Sequence, residues 1–193
     1  LDELMAFLEI SRWVEERSYH TIIIDTAPTG HTFRLLAMPE LMRNWLEAFD
    51  TLLAKHRYMK KLYKGSYNKD ELDTFLEQQA IALTKMEKLL TDKVHCRFVP
   101  VMLPEKMSIL ETSELLNELE RLRIPVTDIV VNKLYPINTC PFCREGHLQQ
   151  IKELGNFSTK GYLSRYNFWS IPLYPLETRG PRCLEEFWEG VTP

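Results

Sequence analysis

The sequence predicts an α/β fold: a parallel sheet flanked by helices, with an inserted α-helical subdomain. Three observations point there. Short, apolar, β-rich runs occur at 21–25, 97–103, 127–132 and 168–173, and helical patterns separate the last three, as in crossovers between parallel strands. About seventy residues lie between the first two runs, far more than the dozen or so a crossover minimally needs. Finally, Thr21-Ile22-Ile23-Ile24 places three β-branched isoleucines in a row, a composition that fits a strand buried on both faces.

The elements follow in order. Residues 1–17 carry Leu4, Phe7, Leu8, Ile10, Trp13 and Val14 on one helical face. The isoleucine run ends in Asp25, and an acid at the carboxyl end of such a strand sits where α/β proteins bind ligands. Pro28 and Gly30 are expected to stop the strand in a loop. Segments 40–64 and 69–92 read as two or more helices broken at Gly65-Ser66-Tyr67-Asn68. Their apolar residues include Leu41, Met42, Trp45, Leu46, Phe49, Leu52, Met59, Leu83 and Met86. Any single methionine among them is explained as packing of the subdomain against the sheet. Segment 108–123 is the clearest helix. Ser108 and Glu111 have the spacing of a capping box, Ile109, Leu110, Leu115, Leu116, Leu119 and Leu122 form its apolar face, and Pro125 marks its end. The expected organisation is one partial domain over 1–193, with a core of 1–37 and 93–193 and an insertion of 38–92.

Composition bounds the function. The 193 residues are 45% hydrophobic and 26% charged, an ordinary globular balance, and suit one domain with a sizeable core. A formal net charge of -3 gives no electrostatic case for nucleic acid or an acidic membrane surface. No apolar run reaches the length of a membrane span, and Leu1-Asp2-Glu3-Leu4 opens directly into a helical pattern rather than a signal peptide. Of four cysteines, two form Cys140-Pro141-Phe142-Cys143. That spacing points to metal or redox chemistry in a reducing compartment, so a cytoplasmic location is expected.

The octet Asp25-Thr26-Ala27-Pro28-Thr29-Gly30-His31-Thr32, followed by Phe33-Arg34-Leu35-Leu36, resembles the second switch of the ArsA-type ATPases. These deviant P-loop ATPases include the arsenite-pump ATPase and the factor that targets tail-anchored membrane proteins. The resemblance implies a P-loop NTPase-like sheet, ATP as substrate and Mg²⁺ as cofactor. It implies that Asp25 holds a Mg²⁺-bound water and that Gly30 donates its N–H towards the γ-phosphate. His31 is read as a loop histidine bonded to backbone. Asn132 closes the strand Asp128-Ile129-Val130-Val131, and a carboxamide there can donate to and accept from a purine edge at once. The family places an asparagine at this point against adenine. Pro172-Leu173-Tyr174-Pro175-Leu176-Glu177-Thr178-Arg179-Gly180 is similar to the family's adenine loop, with Thr178 where an aliphatic residue is usual. Pro172, Leu173 and Glu177 are its expected loop residues.

Two thiolates at the spacing of Cys140 and Cys143 can share one zinc. In the targeting branch two such cysteines from each subunit clamp one Zn²⁺ across a homodimer, and the arsenite-pump branch lacks the pair. The resemblance therefore implies a cytoplasmic, homodimeric targeting ATPase. Its partners are hydrophobic transmembrane segments of client proteins and a membrane receptor, with no nucleic acid. The family's glycine-rich phosphate loop and first switch do not occur in these residues. The chain is therefore expected to be the carboxyl-terminal part of a longer ATPase and inactive alone. Three alternatives stand beside this reading: an arsenite-pump-type subunit, a non-enzymatic zinc-bridged client-binding module, and a thiol oxidoreductase. For the last, a strand, the Cys-Pro-Phe-Cys pair and a helix follow one another, which would acidify the first thiol. The long chain ahead of the pair and the lack of a later Gly-Gly segment stand against it.

Overall fold

The computed structural model describes residues 9–10, 12–14, 16–26, 29–64, 71–137, 140–158, 161–175 and 177–193, without the side chains of 29–35, 64, 158 and 163. The chain divides into two compact units, Leu1–His95 and Cys96–Pro193.

In the first unit, helices α1 (Thr29–Lys64) and α2 (Glu71–Thr91) pack on each other. Acidic Glu71 and Asp73 open α2 and Lys88 lies in its last turn, an arrangement that complements the helix dipole. Leu83 and Met86 are buried between the pair, with Met42, Leu46 and Leu90 against them. Met42 and Met86 thus pack the two helices against each other. Arg43 pairs with Glu87. Arg57 bridges Asp50 and the buried Asp73, at 2.7 Å from each, and these two carboxylates, Asp50 first, raise its pKa. The break expected at 65–68 and Leu4, Phe7 and Leu8 of the expected 1–17 face lie outside the described residues. Helical turns are present at 9–10 and 12–14.

Two expectations are corrected here. Residues 21–25 form no strand, and Ile23 is 90% exposed. β-branched residues favour a strand because they fit a pleated, half-buried surface. Among the described residues no neighbouring strand supplies that surface to the isoleucines. Second, α1 already begins at Thr29, so Gly30 lies in the first helical turn rather than in a loop.

The second unit holds a parallel three-stranded sheet in the order β1 (Val101–Met102), β2 (Asp128–Leu134), β3 (Asn167–Pro172). Helix α3 (Lys106–Arg121) connects β1 to β2, and α4 (Pro141–Ser158) lies between β2 and β3 in the chain. The core joins Met102, Ile109, Leu116, Ile129, Val131, Phe157 and Tyr162. Helix α3 buries Ile109, Leu115, Leu116 and Leu119 as expected, but Leu110 is exposed. The capping box does not form. The helix starts two residues earlier, at Lys106, and Glu105 makes no side-chain cap. Ser108 Oγ instead accepts the Leu103 N–H at 3.0 Å, tying the β1 exit to the helix. Buried Thr112 and Ser113 satisfy their hydroxyls by donating to the carbonyls of Ser108 and Ile109, each at 2.8 Å. A short helix, α5 (Gly180–Glu189), closes the chain, and Thr192 returns to bridge Ser170 antiparallel.

Asp128 latches the start of β2 to β3. Its carboxylate accepts from the Thr127 hydroxyl, from Trp169 Nε1 at 2.9 Å and from Asn167 Nδ2 at 3.2 Å. These donors, Thr127 first, lower its pKa. A depressed folded pKa contributes stability above the unfolded carboxylate pKa and loses it as pH falls through the folded value. Trp169→Phe removes one donor. The stability gap between it and the parent is therefore expected to be wide at neutral pH and to shrink as pH falls into the carboxylate range. Urea unfolding followed by circular dichroism at stepped pH measures this.

Candidate functional site

The carboxyl ends of β2 and β3 form the candidate site. Val131 pairs with Ser170, yet the next partners are Leu134 and Pro172. Strand β2 thus carries one residue more than β3 across this step, a bulge. Lys133 absorbs it with a φ of +58°, a left-handed conformation uncommon outside glycine. Leu173 N–H then donates to the Leu134 carbonyl at 2.8 Å. The bulge brings the Asn132-Lys133 step beside the Pro172-Leu173 step, segments forty residues apart in sequence. Asn132 Oδ1 accepts the Lys133 N–H at 2.9 Å. One lone pair and both Nδ2 hydrogens of its amide are left over from that bond, enough to accept from and donate to a base edge.

Helix α4 supports this corner. Gln150 is 7% exposed. Its Oε1 accepts the Tyr135 N–H at 2.8 Å and its Nε2 donates to the Lys133 carbonyl at 3.2 Å. His147 Nδ1 lies 2.7 Å from the Tyr135 carbonyl, which gives this histidine a backbone partner. The Tyr135 ring meets Phe142 edge-on at 5.9 Å and lies so close to Gly146 that an added Cβ would stand 3.0 Å from it. Gln150 was not among the residues singled out from sequence. Its signal is periodicity: positions 150, 154 and 157 share one helical face, where Leu154 and Phe157 are packed in the core.

The cysteines sit at the start of α4. Cys140 immediately precedes the helix and is exposed, and Cys143 lies in its first turn. The Cys140 pKa is lowered, first by the backbone N–H of Cys143, then by the Cys143 thiol and the Phe142 N–H. Cys140 is therefore expected to alkylate at lower pH in the folded than in the unfolded chain, read by iodoacetamide labelling and mass spectrometry. Among the described residues no group of three or more His, Cys, Asp or Glu could hold a metal. Two thiols are half of a tetrahedral zinc set, so the donor set fits an ion shared with a second pair.

The remaining expected residues are placed as follows. Asp25 is exposed at the end of the isoleucine run, and Gly30 lies in the first turn of α1, where N–H groups lack intrahelical acceptors; both belong to the first unit. Glu177 lies after β3 and pairs with Arg179 at 2.7 Å, both exposed. Along α1, Leu41, Trp45, Phe49, Leu52, Met59 and Tyr63 are exposed at helical spacing. No described helix is long and apolar enough to cross a membrane.

A three-stranded parallel sheet flanked by helices is consistent with the P-loop NTPase-like class of α/β proteins. The chain belongs to the ArsA-type ATPase family, whose model, described as anion-transporting ATPase, matches residues 1–192. It is similar to "ATPase ASNA1 homolog 2" of Paramecium tetraurelia, 31% identical over 98% of this chain and 60% of that protein. It is also 31% identical to "ATPase ASNA1 homolog" of Entamoeba dispar, over 97% of this chain and 58% of that protein. "ATPase GET3" of Rhodotorula glutinis is 33% identical over 96% of this chain and 57% of that protein. The chain thus spans somewhat under two thirds of the length of the curated relatives it matches.

Proposed function

We propose that this chain works as part of a homodimeric, cytoplasmic ATPase of the tail-anchored-protein targeting type, coupling ATP binding and hydrolysis to capture and release of hydrophobic client segments. The observation that carries the reading is the β2 bulge, which sets Asn132 beside Pro172 and Leu173 in a chain of this family. Asn132 reads the adenine edge, and the loop from Pro172 to Glu177 covers the base. Asp25 and Gly30 are assigned to the phosphate end. Mg²⁺, when bound, neutralises phosphate charge there, and Asp25 is the side chain to hold its water. In this reading segments 1–37 and 93–193 serve the nucleotide and 38–92 serves the client.

The exposed stripe of α1 supports the client half. From Leu41 to Tyr63 the helix rises roughly 33 Å at about 1.5 Å per residue, close to the roughly 30 Å hydrocarbon thickness that a membrane anchor spans. Exposed large apolar side chains on one helix face mark an interaction site. Cys140 and Cys143 hold half of a Zn²⁺ site shared with a second copy, which favours the targeting branch over the arsenite-pump branch.

Asn132→Ala tests the base site in the full-length protein. A two-bond amide–adenine contact discriminates by about 1–3 kcal/mol, so ATP affinity is expected to fall about fivefold to 150-fold while GTP affinity stays put. Equal loss for both nucleotides, or none for ATP, overturns the assignment. The 193-residue chain by itself, which contains no glycine-rich phosphate loop, is expected to release no phosphate from Mg-ATP, and measurable turnover contradicts this.

One observation favours a second reading: the acidified Cys140 thiol at the start of α4 matches a thiol oxidoreductase. Zinc analysis separates the two. Half an atom per chain, lost together with the dimer in Cys140→Ser, supports zinc bridging, including the non-enzymatic module. Turnover of glutathione by the zinc-free protein supports redox chemistry.

A further inference from the structure

We infer that Gln150 is a positioning residue for nucleotide-base recognition, acting from α4 through the β2 bulge on Asn132; this rests on the adenine reading of Asn132. Three features of the corner carry it. Lys133 sits in a left-handed conformation, which a lysine adopts only when its surroundings hold it there. The two bonds that hold it come from one side chain: Gln150 donates to the Lys133 carbonyl and accepts from the Tyr135 N–H. These bonds clamp the backbone on both sides of Leu134, whose own carbonyl takes the Leu173 N–H. The Lys133 N–H in turn fixes the Asn132 amide. Gln150 therefore sets where the Asn132 amide points.

Burial explains why a glutamine serves here. A Gln at an apolar position of α4 costs desolvation unless both ends of its amide are bonded, and here both are bonded to the bulge. An apolar residue of the same length would fill the space and free the bulge. The bulge would then relax towards an ordinary strand, and a one-residue change of register turns a side chain to the opposite face.

The test uses the full-length ATPase carrying this chain, with ATP and GTP as substrates. Gln150→Met is expected to raise KM for ATP about threefold to tenfold, the equivalent of about one net hydrogen bond, with kcat and the GTP KM unchanged. A purely architectural role would instead lower kcat and affect both nucleotides alike. Gln150→Glu keeps the acceptor for Tyr135 and loses the donor to Lys133, so it gives a readable effect should the Met variant fail to fold. In the double variant with Asn132→Ala, the Gln150 change is expected to add nothing, because both act on one contact. An unchanged ATP/GTP ratio in Gln150→Met and Gln150→Glu, with a lowered ratio in Asn132→Ala, overturns the positioning role alone. Full additivity does so too. An unchanged ratio in Asn132→Ala removes the adenine reading itself.

Discussion

Phe157→Ala is expected to destabilise the second unit by about 3–5 kcal/mol, the usual cost of a large buried aromatic truncated to alanine. Phe157 is 1% exposed. Its ring stacks on Tyr162 at 4.5 Å and meets Phe168 edge-on at 6.1 Å. It thereby joins the end of α4, the short helix Tyr162–Ser164 and β3. Truncation leaves a cavity among three elements that cannot all collapse into it. A domain has only about 5–15 kcal/mol of net stability, so the variant retains little margin. Guanidinium unfolding should show a lower midpoint at an unchanged slope, and Phe157→Leu should recover most of the loss. Because α4 also carries Gln150 and Cys143, loosening its end should weaken ATP binding in proportion to the unfolded fraction and no further.

The second large effect is expected on α1 and should leave stability untouched. Trp45 is 68% exposed and its ring lies near Phe49, at 6.4 Å. The helix pair is held instead by Leu83, Met86, Met42 and Leu46. Trp45→Asp should therefore cost the fold little. For an apolar client the same change buries a carboxylate in the contact, and interface aromatics lost at a hot spot cost about 2 kcal/mol or more. Client affinity is expected to drop at least about thirtyfold, measured by fluorescence anisotropy of a labelled anchor peptide. Leu52→Asp, further along the stripe, should behave alike. A charge at Met86, by contrast, should unfold the helix pair.

Much of this was legible in the residues. Apolar periodicity located α2 and α3 and the runs that became β2 and β3: α3 and β2 bury most of the face their pattern marks, β3 is half-buried, and α2 buries Leu83 and Met86 but exposes Leu72, Phe75 and Ile81. The isoleucine run failed the same logic, since a strand exists only with a paired neighbour and pattern alone does not supply one. Ser108 and Glu111 had the right spacing for a cap, but the nearby Leu103 N–H competed for the hydroxyl. The two ends of the proposed base site, Asn132 and Pro172, were readable only through family resemblance. What joins them is a bulge at Lys133, a residue without the glycine or asparagine signature of a left-handed turn. Gln150 was missed because a polar residue on an apolar helix face looks like noise until its two backbone partners are known.

The most direct measurement places a photo-crosslinking residue at Trp45 of the full-length protein and offers a membrane-anchor segment with ATP, then follows the crosslink through hydrolysis. The expected result is a crosslink with ATP bound that fades as ATP is consumed and is abolished by Asn132→Ala at limiting ATP. ATP hydrolysis with no crosslink in any state would contradict the targeting account and leave an ATPase of another branch of the family.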